Sequence, residues 1–126
     1  EGLIVPVLRN AGEKTVREIS STGNALVSRA KEKKLGVEEY SGATFTISNL
    51  GMFGIESFLP IINPPQVAIL GIGAIKEKCQ ALYGKMEIRP IMKLTLSVDH
   101  RAVDGACAAQ FMKRLCSILE TVVTED

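Results

Sequence analysis

The sequence predicts an α/β fold in which a mixed β-sheet carries helices on one side. Three observations lead to this prediction: a helical period in the first third of the chain, four strand-like stretches in the middle, and a second helical period at the end. The predicted order is strand, helix, four strands, helix, which is typical of a layered α/β domain. With 126 residues, the chain forms one domain or part of one.

The first predicted elements are an edge strand and a long helix. Residues 2–8, "GLIVPVL", form a short β-branched run that contains a proline, which suits an edge strand. Thr15 and Glu18 have the spacing of a capping box, and apolar residues then recur at helical spacing, so a helix is expected over residues 15–34. Gly36 is expected to end this helix in a left-handed cap.

The middle of the chain begins with a half-buried strand and a rigid loop. In residues 44–49, "TFTISN", Phe45 and Ile47 alternate with threonine and serine, so these two side chains are expected on the buried face. Residues 62–66, "INPPQ", contain consecutive prolines, which remove two backbone donors and predict a stiff extended loop. A new strand is therefore expected to begin after this loop.

The remaining elements are a buried strand, a hairpin and a closing helix. Residues 67–73, "VAILGIG", predict a fully buried strand, and residues 78–98 predict a hairpin that turns near Gly84 and Lys85. One face of the second arm of the hairpin is apolar and carries Met92, Leu94, Leu96 and Val98. The closing helix follows Gly105, and its apolar positions are Ala108, Phe111, Met112, Leu115, Leu119 and Val122.

Composition and charge argue against several classes of function. Fifteen basic and fourteen acidic residues leave a net charge of +1, so no broad positive field favours nucleic acid or an anionic membrane as a partner. No apolar run approaches the roughly 20 residues of a membrane-spanning helix. Three cysteines without CxxC spacing indicate free thiols in a reducing compartment. A single histidine makes a structural zinc site unexpected, and no metal is predicted.

The candidate for chemistry is the one histidine of the chain, His100, which has Asp99 and Asp104 near it in sequence. It continues the even-numbered apolar positions of the preceding strand, so its side chain is expected to point toward the apolar face, partly shielded from water. Burial favours the neutral imidazole, which is the form that a general base needs near pH 7. The alternative is a histidine that only satisfies local hydrogen bonds at a strand end.

The two aspartates around His100 each have a structural alternative. Asp104 precedes a glycine at the entry to a helix, where it can cap the helix and hold the turn that presents the imidazole. An N-cap role alone would explain Asp104 equally well, and a surface ion pair with Arg101 would explain Asp99. The HxxxDG pattern is therefore only moderately specific by itself.

Three segments of the chain, in this order, resemble one family. They are "TFTISNLGMFGI" (44–55), "IINPPQVAILGIG" (61–73) and "SVDHRAVDGA" (97–106). They resemble the dihydrolipoamide acyltransferases, the core components of 2-oxo acid dehydrogenase complexes; HxxxDG also occurs in chloramphenicol acetyltransferase. Residues 2–20, "GLIVPVLRNAGEKTVREIS", resemble the segment that precedes these three in the family, so the resemblance covers nearly the whole chain. It implies a chloramphenicol-acetyltransferase-like fold in which residues 1–126 are the carboxy-terminal portion of an acyltransferase catalytic domain.

The resemblance implies transfer of an acyl group between dihydrolipoamide and coenzyme A, both of them substrates. His100 then matches the general base that takes the proton of the attacking thiol. Ser48 matches the serine whose hydroxyl hydrogen-bonds the oxyanion of the tetrahedral intermediate, and Asp104 matches a supporting position that holds Asp or Asn. Because the family's active site forms between the subunits of a trimer, His100 and Ser48 would come from different chains.

The resemblance also implies partners and a location. A domain absent from this chain would carry the lipoyl group, and the decarboxylase and dihydrolipoamide dehydrogenase components would be partners. A homotrimer is expected, whereas a larger cubic or dodecahedral core stays open because the chain ends in "LETVVTED", which is polar and acidic. The compartment would be the cytoplasm in a bacterium or the mitochondrial matrix in a eukaryote.

The acyl group and two alternative functions complete these expectations. "SNLGMFGI" resembles the pyruvate branch of the family, so acetyl is the expected acyl group. One alternative is a non-catalytic structural or binding core subunit of the same kind of complex; the joint presence of Ser48, His100 and Asp104 argues against it. The other is a free acyltransferase that acts on a small molecule, against which "INPPQVAILG" argues.

Overall fold

The computed structural model describes residues 3–121. The chain divides into two compact units, Glu1–Thr44 and Phe45–Asp126. The first unit contains one long helix, and the second contains a β-sheet and the closing helix. The three residues that the sequence marks for chemistry, Ser48, His100 and Asp104, all lie in the second unit.

The long helix of the first unit, α1, spans Val16–Lys31, and its predicted capping box is confirmed. The hydroxyl of Thr15 accepts a hydrogen bond from the backbone N–H of Glu18 at 3.2 Å. In return, the backbone N–H of Thr15 donates to the Glu18 carboxylate at 2.7 Å. This bond is the first cause of the lowered pKa of Glu18. Two backbone donors that the helix start leaves open are thus satisfied.

The helix α1 ends earlier and differently than predicted. Lys33, and not Gly36, takes the left-handed conformation, with a φ of 57°. The N–H groups of Lys33 and Lys34 donate to carbonyls of the last helical turn at 3.0 and 2.9 Å, the pattern of a Schellman cap. Gly36 has a φ of −74° and instead precedes a short 3-10 turn, Val37–Glu39. The prediction of a Gly36 cap was therefore wrong, because a lysine adopts the strained conformation three residues sooner.

The predicted edge strand at residues 2–8 is wrong for the described residues 3–8, and Gly2 lies outside the described residues. The N–H of Val7 donates to the carbonyl of Glu39 at 2.7 Å, but no strand of the described part pairs with this segment. The guanidinium of Arg9 adds hydrogen bonds to the carbonyls of Glu38 and Ser41, at 2.8 and 3.0 Å. An extended segment is thus held by a few bonds to a turn and not by a ladder.

The second unit contains a mixed sheet, as predicted. Its strands are β1, Thr46–Asn49; β2, Ala68–Leu82; and β3, Lys85–Val98. The central strand β2 pairs with β1 in parallel and with β3 in antiparallel orientation. The hairpin turn is confirmed at Tyr83 and Gly84, which both have positive φ, 50° and 77°.

The central strand β2 joins two predicted strands into one. It runs for 15 residues without a break, and the described residues contain three strands and not the five that the sequence predicts. Its pairing with β3 shifts between Ile72 and Ile75, where a bulge interrupts the ladder. Because a bulge breaks the two-residue alternation of side chains, the pattern on its two sides resembled two separate strands.

The loop at residues 62–66 is not the extended segment that its prolines predict. The chain turns at Pro64 and Pro65, which are joined by a cis peptide bond, and the N–H of Gln66 donates to the carbonyl of Asn63 at 3.1 Å. The Gln66 side chain then accepts a hydrogen bond from the Thr46 hydroxyl at 2.6 Å. The loop therefore ties itself to the first strand.

The predicted buried face of β1 is inverted. Thr46 is 9% exposed, whereas Phe45 and Ile47 are 39% and 60% exposed. The inversion is possible because the Thr46 hydroxyl has a partner in Gln66, which removes the penalty for burying it. Ile47 remains uncovered because β1 is an edge strand of the described sheet.

The closing helix, α2, is confirmed and spans Gly105–Thr121; the predicted apolar position Val122 lies outside the described residues. Its Phe111 ring packs against the ring of Phe45, the residue before β1, with a centroid distance of 6.0 Å. The three cysteines are free thiols, as predicted. Within residues 3–121, no helix combines the length and apolar character that crossing a membrane requires.

Candidate active site

Ser48 is the third residue of β1 and lies opposite Gly71 of β2. Residues in register share a face of a sheet, and alternate residues of a strand share it too. We call this face the serine face; its members on β1 and on the first half of β2 are Thr46, Ser48, Ile69, Gly71 and Gly73. The side chain of Ser48 is half-buried there.

The glycines of the serine face let another segment lie directly on the sheet. A Cβ on Gly73 would be 1.9 Å from the carbonyl oxygen of Glu56, and one on Gly71 would be 3.0 Å from the ring of Phe58. The N–H of Ala74 donates to the carbonyl of Ile55 at 2.8 Å. Residues 55–58 therefore cover the sheet beside Ser48, and the missing Cβ at Gly73 leaves room for the carbonyl of Glu56.

A cluster of charges around Glu56 anchors this covering segment. The carboxylate of Glu56 forms ion pairs with Lys78, with Lys93 at 3.1 Å and with Lys76 at 3.8 Å. Hydrogen bonds from Lys78, and next from Lys93, lower the pKa of Glu56 to about 2. The sequence analysis did not find this cluster. The spacing of Lys76 and Lys78 on one strand face was the available signal, but nothing in the sequence connects them to Glu56.

His100 lies in a turn, residues 99–103, that we call the histidine turn. The strand β3 ends at Val98, and the N–H of Asp99 extends the ladder by one bond, to the carbonyl of Val67 at 2.8 Å. The carbonyl of Asp99 then accepts hydrogen bonds from the N–H groups of Ala102 and Val103, each at 3.0 Å. The expectation that the strand carries His100 onto the apolar face was wrong: the chain bends first, and the imidazole is exposed in the single chain.

Asp99 forms the predicted ion pair with Arg101, and it also makes a bond that was not predicted. Its carboxylate accepts hydrogen bonds from the Arg101 guanidinium at 2.7 and 3.0 Å. It also accepts one from the backbone N–H of Arg101 at 3.0 Å. The guanidinium first, and the backbone N–H second, lower the pKa of Asp99 to about 2. The same guanidinium has its pKa raised by the carboxylate.

Asp104 caps the helix α2, which is the structural role that the sequence allowed. Its carboxylate accepts a hydrogen bond from the backbone N–H of Cys107 at 2.7 Å, and its carbonyl accepts one from Ala108 at 3.1 Å. The histidine turn thus ends where the helix begins, since Asp104 directly follows Val103. The position of His100 is defined by the sheet on one side and by a capped helix on the other.

Ser48 and the histidine turn lie at different levels of the sheet within one chain. Ser48 of the edge strand β1 pairs with Gly71 of the central strand. Asp99, the neighbour of His100, directly follows the opposite edge strand, β3, and its N–H bonds to Val67, four residues before Gly71. Four residues of strand rise about 13 Å and two strand spacings span about 10 Å, which places the backbones of Ser48 and Asp99 about 16 Å apart. A hydroxyl and an imidazole that act on one reacting group each contact it at about 3 Å, and the strand pairing does not place these two segments side by side.

The described residues hold no group of three or more histidine, cysteine, aspartate or glutamate side chains arranged to bind a metal ion. The residues that the sequence marks for chemistry offer the imidazole of His100, the hydroxyl of Ser48 and the carboxylates of Asp99 and Asp104. This set suits acid–base and hydrogen-bonding chemistry.

Residues 1–124 match the family described as 2-oxoacid dehydrogenases acyltransferase (catalytic domain). The chain belongs to this acyltransferase family. One relative is the dihydrolipoyllysine-residue acetyltransferase component of pyruvate dehydrogenase complex of Rickettsia conorii, 45% identical over 97% of this chain and 30% of the relative. Another is the dihydrolipoyllysine-residue succinyltransferase component of 2-oxoglutarate dehydrogenase complex of Azotobacter vinelandii, 48% identical over 94% of this chain and 30% of the relative.

Solved structures of related proteins confirm the fold class of this chain. The dihydrolipoamide acetyltransferase of Azotobacter vinelandii matches with a TM-score of 0.90 and 43% identity, over 95% of this chain and 49% of that one. A probable dihydrolipoamide acetyltransferase from Listeria monocytogenes matches with a TM-score of 0.95 and 33% identity, over 100% of this chain and 54% of that one. This chain thus spans about half the length of these solved chains.

The Azotobacter structure belongs to a study of the roles of one serine, one histidine and one asparagine in the catalytic mechanism. In that protein the serine precedes the histidine by 52 positions, and the asparagine follows the histidine by four. Ser48, His100 and Asp104 have the same two spacings in this chain.

Proposed function

We propose that this chain is the carboxy-terminal portion of a dihydrolipoamide acyltransferase catalytic domain, and that it transfers an acyl group between dihydrolipoamide and coenzyme A. One observation carries the proposal. Ser48, His100 and Asp104 have the spacing of the serine, histidine and asparagine studied in the Azotobacter acetyltransferase, within a match that covers 95% of the chain.

In this proposal His100 is the general base. A thiol with a pKa of about 8.5 is mostly protonated at neutral pH, so the attack needs a base that takes its proton, and a neutral imidazole is such a base. A positioned base of this kind accelerates a reaction about 10² to 10⁴-fold. The thiolate sulfur of one substrate attacks the thioester carbonyl of the other. When the intermediate collapses, the departing sulfur takes the proton back from the imidazolium.

Ser48 supplies the second group in this proposal. Attack on the carbonyl places negative charge on its oxygen, and the Ser48 hydroxyl donates a hydrogen bond to that oxygen. Losing one well-aimed donor of this kind costs roughly 3 to 4 kcal/mol of transition-state stabilisation. Asp104 supports the site indirectly, because its bond to Cys107 fixes the helix start that follows the histidine turn.

The separation of about 16 Å within one chain supports a site shared between two copies. His100 of one subunit would then meet Ser48 of its neighbour, and a homotrimer supplies such contacts. The far end of the hairpin agrees with an assembly, because Ile75, Met86 and Ile88 are 69%, 70% and 71% exposed on one face. One related structure is the cubic core of the pyruvate dehydrogenase multienzyme complex. A core of this kind would also bind the decarboxylase and dihydrolipoamide dehydrogenase components.

We propose acetyl as the acyl group, because "SNLGMFGI" resembles the pyruvate branch. The relatives include both acetyltransferases and succinyltransferases at similar identity, 45% and 48%, so sequence identity alone does not separate the two branches. The substrates would be coenzyme A and dihydrolipoamide, with the lipoyl group on a domain outside this chain and with no metal. The compartment would be the bacterial cytoplasm or the mitochondrial matrix.

The test uses a complete catalytic domain that contains this chain. Its mass in solution is measured together with the exchange of acyl groups between dihydrolipoamide and coenzyme A, with acetyl- and succinyl-coenzyme A compared. The proposal expects a multiple of three chains and turnover that prefers acetyl. Preference for succinyl would overturn the acyl assignment alone. An assembled protein without turnover for any acyl donor would overturn the catalytic assignment and favour a structural core subunit.

A further inference from the structure

We infer that Asp99 is a positioning residue, whose carboxylate holds the turn that presents His100 by accepting a hydrogen bond from the backbone N–H of Arg101. This inference rests on the proposed function, since it assigns the role of His100 as a base. Nothing in the pattern HxxxDG includes Asp99, so the role goes beyond the three residues that the sequence marks for chemistry.

Asp99 forms hydrogen bonds through its backbone N–H, its backbone carbonyl and its side-chain carboxylate. Its N–H donates to Val67 at 2.8 Å, which joins the histidine turn to the sheet. Its carbonyl accepts from Ala102 and Val103, which curls the chain around His100. Its carboxylate accepts from the N–H of Arg101 at 3.0 Å, across His100. His100 thus lies inside a loop whose bonds all converge on its predecessor.

The carboxylate bond to the Arg101 backbone forms an Asx turn, in which a side chain replaces a backbone acceptor two residues away. This bond constrains the backbone on both sides of His100 and thereby the direction of its Cα–Cβ bond. The Asp99 side chain is 23% exposed, which keeps the bond partly out of water. Small errors in the placement of a base lower the rate of proton transfer without preventing substrate binding.

The ion pair with the Arg101 side chain is a separate contact with a smaller role. The Arg101 side chain is 91% exposed, and exposed ion pairs contribute little to stability. The chain offers a matched comparison in Glu87 and Arg89, which have the same spacing and also form an ion pair, at 2.7 Å. In that pair both hydrogen bonds come from the guanidinium, and the carboxylate closes no turn.

Two substitutions separate the effect of the Asx-turn hydrogen bond from the effect of the negative charge of Asp99. Asp99→Asn keeps an oxygen in place for the Arg101 N–H but removes the charge. Asp99→Glu keeps the charge and the ion pair but moves the carboxylate out of the Asx-turn geometry by one methylene. In a complete catalytic domain, we expect Asp99→Asn to retain kcat within about threefold. Asp99→Glu and Asp99→Ala should lose at least about tenfold in kcat, with KM changed less than twofold.

Three controls accompany these variants. Glu87→Ala removes the matched ion pair on the hairpin and should leave kcat unchanged. Arg101→Ala removes the side-chain ion pair but keeps the backbone N–H, so it should resemble Asp99→Asn. Amide hydrogen exchange at residues 101–103, measured in the same proteins, should accelerate in Asp99→Glu and Asp99→Ala and stay slow in Asp99→Asn.

The outcomes distinguish this inference from the proposed function. If the unmodified domain shows no acyl transfer, or if His100→Ala is fully active, the proposed function fails whatever Asp99 does. If the unmodified domain is active and Asp99→Glu matches or exceeds Asp99→Asn, the charge matters and the inference is overturned. Unchanged amide exchange in Asp99→Ala would overturn it too. Should Asp99→Ala fail to fold, the order of Asp99→Asn and Asp99→Glu decides alone.

Discussion

The strand that carries Ser48 and the turn that carries His100 are held in different ways. Ser48 is positioned by backbone pairing with β2 and by a segment that lies on bare glycines, so its surroundings depend on the sheet as a whole. His100 is positioned by side-chain bonds from Asp99 and by the helix cap of Asp104. Substitutions of the glycines beside Ser48 should therefore act mainly on stability, whereas substitutions within the histidine turn should act mainly on turnover.

The largest effect is expected for the base itself. His100→Ala removes the only imidazole of the chain, so acyl transfer in a complete domain should fall to the background rate. The mass in solution should stay that of the unmodified assembly, because the imidazole is exposed in the single chain and supports no packing there. Turnover near that of the unmodified domain would refute the assignment of His100.

A smaller effect on turnover is expected for the oxyanion donor. Ser48→Ala should lower kcat by about 10² or more and leave KM nearly unchanged, because the hydrogen bond strengthens only in the transition state. Ser97→Ala is a matched control, since Ser97 is opposite Ile69 on the serine face but belongs to the other edge strand. A loss of only twofold in Ser48→Ala would reduce Ser48 to a structural residue.

Replacing a glycine beneath the covering segment, residues 55–58, should change the free energy of unfolding. Gly73→Ala places a methyl group 1.9 Å from the Glu56 carbonyl oxygen, so it should lower the free energy of unfolding by at least about 2 kcal/mol. Gly23→Ala lies within α1 in open space and should raise helix stability by about 0.5 to 1 kcal/mol. Urea unfolding measures both. A Gly73→Ala protein as stable as the unmodified one would show that the covering segment does not lie on the sheet.

The cap that Asp104 forms on α2 should tolerate replacement of Asp104 by asparagine but not by alanine. Asparagine caps a helix about as well as aspartate, so Asp104→Asn should change turnover less than about threefold and leave the thermal midpoint unchanged. Asp104→Ala loses the bond to Cys107 and should cost about 1 kcal/mol of stability. Complete loss of turnover in Asp104→Asn would mean that the carboxylate charge itself acts in the reaction.

The smallest effect is expected for the charge cluster on the sheet, and it depends on pH. The pKa of Glu56 is lowered to about 2 in the folded chain, so its ion pairs stabilise the fold above its ordinary pKa. The stabilisation is lost as the pH falls from about 4.5 to about 2. The thermal midpoint of Glu56→Gln should therefore lie below that of the unmodified domain at pH 7 and approach it near pH 2.

Glu77→Gln is the control for this comparison, because Glu77 lies on the opposite face of β2 from Lys76 and Lys78. Its midpoint should follow the unmodified domain at every pH. If Glu56→Gln and Glu77→Gln showed the same pH dependence, the lysine cluster would not hold the covering segment.

Local patterns predicted the elements well where the cause is local. The capping box of Thr15 and Glu18, the hairpin turn at Gly84 and the helix after Gly105 each depend on residues a few positions apart. The left-handed residue at Lys33 could not be predicted in this way, because glycine is the ordinary choice there. The bulge in β2 was missed because it shifts the alternation that identifies a strand.

For the candidate site, too, the sequence predicted the features that have a local cause and missed those that depend on distant residues. The identities and spacing of Ser48, His100 and Asp104 were visible in the sequence, and the cap by Asp104 was foreseen. The burial of His100 was predicted from strand parity, which fails once the chain turns at Asp99. The Glu56 cluster joins residues 20 or more positions apart, and no short-range pattern connects them.

The sequence by itself determined which residues are available for chemistry, the helix and hairpin boundaries to within a few positions, and the family of the chain. Only the tertiary structure decided which face of β1 is buried, which segment lies over the glycines, and how far Ser48 is from His100. The physical reason is that capping and turn formation are decided by neighbours along the chain. Burial, ion pairing and distance are decided by strands whose register depends on residues far apart in sequence.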